Sequence, residues 1–316
     1  MANLSEDYIL STFTEALKFS NADQTEIALE AESLALTRFA ENMITQNIST
    51  EDNLVIVRTV KDKKIGVAVT NGLELEDIKK AIKSAEEIGS VQEPDDAFVT
   101  LPKSPPALKV NAFYESTDKL SPAMRSAAVG KIIATGKKDN LQASGACKTT
   151  TEHIAVVNSL ETEQYFRGTS AELSLTLTGD QGNSGYAIGY DRDFAGIDPQ
   201  KLATKAADKA FKSVDPVEIP SGKYTVILEP PAVGQMVLLF SFLGLGCKTF
   251  MSGRSFMNGK IGKQIVGPNI TLMEDPYHEK IQGMPFDFEG IPRQQVYLID
   301  RGIARGVVWN LSLIHI

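Results

Sequence analysis

Three histidines, two cysteines and a few closely spaced carboxylates are the residues of this 316-residue chain whose types could do chemistry. His153, His278 and His315 stand far apart, so no HExxH or HExxxH run can hold zinc between two imidazoles. His278-Glu279, just after Asp275-Pro276, is half of such a pattern in a loop. A solvated loop histidine is the plainer reading there, and His153 reads as a strand residue without a ligand role. Cys147 and Cys247 lack closely spaced partners and any local setting that would depress a thiol pKa, so two reduced thiols are expected. No GxSxG elbow occurs. Gly244, Gly246, Gly259 and Gly262 invite a phosphate-loop reading, but Gly259-Lys260 lacks the Ser/Thr that would hold magnesium. Asp287 and Glu289, two apart on an expected strand, would share a face and could do acid–base work if a pocket received them. By residue types and spacing alone, the chain has no recognisable catalytic centre.

The bulk composition excludes further classes. With 32 Lys+Arg against 40 Asp+Glu the net charge is -8, unsuited to neutralising phosphates, so nucleic acid is not an expected partner. Hydrophobic residues make up 42%, enough for a core without disulfide or structural metal. The longest apolar run, Val237 to Leu245, falls short of the roughly 20 residues of a membrane span. MANLSEDYIL has neither the basic start nor the apolar run of a secretory signal. A soluble, cytoplasmic protein of two or three domains is expected.

An α+β class follows from the periodicities. An amphipathic helix is predicted over Ser5 to Phe19, with Ile9, Phe13, Ala16 and Leu17 on one face. Strands follow, with Ile27, Leu29 and Ala31 alternating and Leu54–Val60 and Ile65–Val69 flanking the polar hairpin Lys61-Asp62-Lys63-Lys64. A second helix is predicted over Glu74 to Ile88, closed by Gly89. The Pro-rich stretch from Gln92 to Lys109 suits an extended connection. The middle region reads as a helix from Ser121-Pro122, strands at His153–Asn158 and Leu173–Leu177, and a helix from Asp198-Pro199. After Pro216 to Pro220 come a predicted strand at Tyr224–Leu228, a buried apolar helix over Ala232–Leu243, and a hairpin turning at Arg301-Gly302. The expected divisions are an N-terminal helix and antiparallel-sheet layer with its connection (1–108), a middle α+β region (109–219) and a β-rich C-terminal domain (220–310). The last residues, Leu311 to Ile316, read LSLIHI and resemble a translated sequencing-library adapter. The natural chain is therefore expected to continue past Asn310, the alternative being an ordinary apolar terminal strand.

Three stretches carry a family resemblance. TRFAENMITQNIS (Thr37–Ser49) is similar to the N-terminal signature of the TldD/PmbA family, and GYDRDFAGID (Gly189–Asp198) resembles the segment entering the family's middle helix. Most specific are GKYTVILEPPAVGQ (Gly222–Gln235) and PFDFEGIP (Pro285–Pro292). In the family's catalytic subunit the matching helix carries His-Glu-Ala-Val-Gly-His, whose histidines bind zinc and whose glutamate is the general base. Aligned on Ala232-Val233-Gly234, the first histidine falls on Pro230, the glutamate on Pro231 and the second histidine on Gln235. Proline has no donor and a glutamine amide is a poor zinc ligand. The chain thus looks like the family's non-catalytic PmbA (TldE) branch, with no catalytic or metal residues of its own and zinc expected in a TldD-type partner.

The resemblance implies a heterodimer with that TldD-like subunit. The pair would enclose a chamber in which unfolded or leader peptides are cut, with no direct nucleic-acid or membrane partner. Family descriptions as a modulator of DNA gyrase fit this acidic chain better through proteolysis than through DNA contact. Two alternatives remain open: a stand-alone peptide-binding or regulatory protein, and a self-sufficient peptidase with an unconventional site drawing on ligands expected past Asn310 together with His278 and Cys247.

Overall fold

A computed structural model describes residues 4–281 and 283–310. Its centre is one antiparallel sheet of six strands in the order β3-β2-β1-β4-β5-β6. The first helix, α1 (Glu6–Leu17), is followed by β1 (Gln24–Ala40), β2 (Met43–Lys61), β3 (Lys64–Thr70) and α2 (Leu75–Ser90). Both hairpin turns use two residues in the left-handed region, Glu41-Asn42 and Asp62-Lys63. That turn matches the natural twist of antiparallel strands. A short α3 (Glu115–Asp118) then leads to α4 (Pro122–Lys138), β4 (Gln142–Asn158), β5 (Glu163–Thr178), β6 (Ser184–Asp191) and α5 (Pro199–Lys212).

Period-two alternation puts the odd-numbered residues of β1, β4 and β5 under the helices. Ile27, Leu29, Val55 and Val57 meet Ile9 and Phe13 of α1 and Ile78 and Ile82 of α2. Further along the same face, Leu173, Leu175 and Leu177 meet Val129 and Ile132 of α4 and the alanines of α5. Ser121 Oγ accepts from Met124 N at 3.2 Å, and Asp198 Oδ1 accepts from Gln200 N at 2.9 Å, so both Pro-led helices start where their caps lie. Gly89 does not close α2 as expected. It lies inside the helix, where a side chain would press on the backbone of Gly66 in β3.

The sheet runs without a break from the N-terminal to the middle region, because β1 pairs with β4 from Glu26↔Asn158 to Phe39↔Gly145. The Pro-rich connection is extended, and it is also strapped to the sheet. Asn158 Nδ2 and Thr162 Oγ1 both donate to Pro102 O at 2.8 Å, and Gln164 Nε2 donates to Pro105 O at 2.8 Å.

Beyond residue 220 the expectations hold less well. The C-terminal region has α6 (Pro230–Phe240), α7 (Cys247–Met251) and a small sheet of β7 (Leu272–Glu274), β8 (Val296–Asp300) and β9 (Ile303–Ala304). The turn between β8 and β9 lies at Arg301-Gly302 as predicted. Leu245, Cys247, Met257, Leu298, Ile299 and Val307 form its own small core. Tyr224–Leu228 forms no strand, and Ile227 is 99% exposed. An extended segment becomes a strand only when a neighbour takes its hydrogen bonds, and none of the described residues does so. The helix expected to be buried is also exposed, with Val233 at 44%, Met236 at 45% and Leu239 at 55%. Its residues are apolar all round, a pattern that calls for cover on every side, and among the described residues nothing supplies it. The adapter-like residues 311–316 lie outside the described residues.

Candidate functional site

The motif positions stand at the start of α6. Glu229 occupies the N-cap, Pro230 and Pro231 form the first turn, and Ala232 N donates to Glu229 O at 3.0 Å. Proline is tolerated here because the first N–H groups of a helix have no partner within it. Glu229 is held by two lysines of α5, at 3.1 Å from Lys205 Nζ and 2.6 Å from Lys209 Nζ. These hydrogen bonds keep its carboxyl below the usual range. Its charge is therefore spent on joining α6 to α5. Zinc does not fit the donors at these positions, since two prolines offer no lone pair and Gln235 only an amide. Among the described residues, no group of three His, Cys, Asp or Glu side chains is placed to hold a metal ion.

The other candidates are not brought together. His278 is on an exposed loop, where its Nδ1 accepts from Lys280 N at 3.3 Å. Cys247 is buried in the C-terminal core, and Cys147 lies in the main core, where burial pushes its thiol up to about 11. Gly259 and Gly262 adopt positive φ in turns, so they serve the chain's path. Asp287 and Glu289 are not on a strand. Asp287 Oδ1 accepts from Glu289 N at 2.9 Å and Ile291 N at 3.0 Å, folding PFDFEGIP into a turn. Burial raises the Asp287 carboxyl, while those two amides pull it down. The turn then docks on the main sheet: Phe286 packs with Val156 and Phe166, and Gly290 O accepts from Gln164 Nε2 at 3.0 Å.

His153 is a structural group with a measurable signature. Tyr165 Oη donates to Leu4 O at 2.6 Å, so the 2.8 Å contact with His153 Nδ1 places the imidazole proton on that nitrogen. Burial, and then the charge of Arg167, lower the histidine from 6.5 to about 4. The folded state therefore binds fewer protons than the unfolded chain between those values. The contribution is present in full above about pH 6.5 and is lost as pH falls through about 4. Melting temperatures across this window should fall more steeply for the parent than for His153→Gln; parallel curves would remove His153 from the account.

Two buried ionic groups escaped sequence reasoning. Arg125 of α4 is 2% exposed, and its guanidinium donates to Thr37 Oγ1, Leu120 O and Asn47 Oδ1. Glu26 is buried against Arg58, 2.9 Å away, and its Oε2 and Arg58 Nε have no partner among the described residues. Burial raises the Glu26 carboxyl against the pull of Arg58. No sequence signal marked Glu26: alternation puts it with Ala28 and Glu30 on the face that reads as solvated, and PFDFEGIP packs on that face only in the fold.

Comparison with known proteins bears on all three regions. Family models match residues 25–89 as PmbA/TldA metallopeptidase domain 1, 113–214 as the central domain and 221–314 as the C-terminal domain. A Haemophilus influenzae protein named metalloprotease TldD homolog is 23% identical, with 96% of this chain aligned to 66% of that one. An uncharacterised Methanocaldococcus jannaschii protein is 24% identical over 81% of this chain and 59% of its own. A Methanothermobacter thermautotrophicus metalloprotease matches over only 24% of its own length, so the chain spans part of each curated relative. Among solved structures, TldE from Thermococcus kodakarensis superposes with a TM-score of 0.82 at 23% identity, covering 98% of this chain and 71% of that one. A Thermotoga maritima protein described as a candidate modulator of a DNA gyrase gives 0.85 at 21% identity with the same coverages. Fold, motif order and three consecutive domain matches agree, and the chain belongs to the PmbA/TldD metallopeptidase family.

Proposed function

We propose that this chain is the non-catalytic subunit of a TldD/TldE-type zinc metallopeptidase, forming part of the wall of a chamber in which unfolded or leader peptides are cut. The observation that carries the reading is the start of α6, where Pro230, Pro231 and Gln235 stand in for two zinc-binding histidines and a general base while the helix itself persists. A helix kept without its chemistry is a packing element. The exposed apolar side chains of α6 support this, because a patch of that kind is normally covered in an assembly. In this reading zinc resides in the TldD-type partner, and the complex works in the cytoplasm.

The test is a pull-down of the natural full-length protein from its host, followed by zinc analysis and an unfolded-casein cleavage assay. Recovery of a TldD-like chain, with zinc and cleavage following that chain through purification, is the expected outcome. Zinc and cleavage in the isolated chain would favour a self-sufficient peptidase instead. Capture of peptides with no peptidase chain would favour a stand-alone binding protein.

A further inference from the structure

On the face of the sheet turned away from the helices, one carboxylate is almost entirely enclosed. Glu26 of β1 is 6% exposed, and its Oε1 meets Arg58 of β2 at 2.9 Å. Its Oε2 and Arg58 Nε are buried with no hydrogen-bond partner among the described residues. An ion pair matched on only some of its atoms forfeits much of its attraction, because both charges have left water.

The surroundings of Glu26 can be named side by side. Its neighbour on β4 is Asn158, whose amide donates to Pro102 O. The extended connection crosses next to it, where Leu101 N donates to Gln24 Oε1 at 2.7 Å. These neighbours are uncharged, and Lys103 of the same connection is paired with Glu161. Over this face lies the PFDFEGIP turn, seated by Phe286 beside Val156 and by Gly290, where a Cβ would press on Thr162 and Val156. The turn brings Glu289 and Asp287 near enough to act against ionisation of Glu26. Arg293 acts in turn on Asp287.

Seating the turn therefore gathers three carboxylates around one guanidinium and shuts water away from the innermost. A proton on Glu26 relieves this twice, by removing a buried charge and by turning its carboxylate into a donor. We propose that Glu26 and the PFDFEGIP turn form a proton-fastened latch, in which the turn seats firmly on the protonated carboxyl and loosens when that group ionises. The turn joins the C-terminal region to the six-stranded sheet, so the latch sets how firmly one is held on the other. Burial raises the Glu26 carboxyl above its ordinary 4.5 against the pull of Arg58, and Glu289 and Asp287 add to the rise. The seated state thus keeps a proton that the loosened state gives up, so seating is strongest in acid and weakens as pH rises through the raised value.

The chain labelled with ¹³C in its valine methyl groups would be followed by NMR from about pH 5 to about pH 8. Phe286→Ala supplies the position of the Val156 signal when no ring is seated beside it. In the parent, this signal is expected to travel toward that position as pH rises, the loosened fraction growing roughly threefold or more. Glu26→Gln, which cannot ionise, should hold the seated position throughout. Glu30→Gln, on the exposed part of the same strand face, should titrate like the parent. A parent signal that stays fixed over this range would overturn the proposal, whether or not the variants fold. So would a Glu26→Gln signal that travels as the parent's does, or a Glu30→Gln signal that does not move. All readings come from the isolated chain, so they leave the pairing with a TldD-type subunit untouched.

Discussion

Replacing Arg125 with alanine is expected to lower the unfolding free energy by about 2–5 kcal/mol, seen as a fall in the urea midpoint at unchanged slope. Its three donors tie two strands to a loop: Thr37 of β1 at 3.1 Å, Asn47 of β2 at 3.1 Å and Leu120 O, just before α4, at 2.6 Å. No carboxylate pairs with it among the described residues, so its charge is satisfied by neutral oxygens alone. Truncation would strand Leu120 O, an unmade buried hydrogen bond costing about 1–3 kcal/mol, and would open a cavity beneath α4, while Thr37 Oγ1 would go on donating to Asn47 Oδ1 at 3.0 Å. Arg125→Met fills the space but strands the same Leu120 carbonyl, so it should fall between parent and alanine variant. A loss below about 1 kcal/mol in both would mean that burying the guanidinium cancels what its hydrogen bonds contribute.

Gly66→Ala and Gly185→Ala form the second large expectation, with a loss of about 2–4 kcal/mol each. A Cβ on Gly66 would fall inside the carbonyl oxygen of Ala85 in α2, and one on Gly185 inside the carbonyl oxygen of Ala206 in α5. In both places the obstacle is helix backbone, which cannot swing aside as a side chain could. Gly130→Ala, on the exposed side of α4 with nothing near its Cβ, is the control. It should be neutral or slightly stabilising, since alanine is the better helix former. Thermal unfolding of the three variants decides the matter, and equal melting temperatures would mean that the helices ride higher over the sheet than described.

These contacts also mark where the sequence could be read and where it could not. Ser121-Pro122 and Asp198-Pro199 announced α4 and α5 because caps act locally. The alternation of Ile27, Leu29 and Ala31 announced a strand with one buried face for the same reason. Arg125 announced nothing, because a helical arginine looks solvated until the fold closes over it. Nor could spacing reveal that β1 would pair with β4 across more than a hundred residues. Asp287 and Glu289 read as strand neighbours because alternation is blind to the Asp side chain that bends the chain instead. At α6, Pro230, Pro231 and Gln235 carried meaning only through family resemblance, and the apolar run that promised burial described a requirement without naming what meets it. A groove of about 520 Å³ between residues 106–111 and 163–167 was invisible, because its walls come from stretches far apart in sequence.

The continuous pairing of β1 with β4 has a consequence for how such a chain can be inherited. Sequence comparison divides it near residue 100, as though the first domain could be shuffled between proteins. Cutting there would strip β1 of its β4 partner from Glu26 to Phe39 and leave a raw edge along the whole of that pairing. Such an edge invites aggregation. The first two modules are separable as text but not as matter, so recombination that respects their boundary would still yield broken proteins, and lineages should pass them on together.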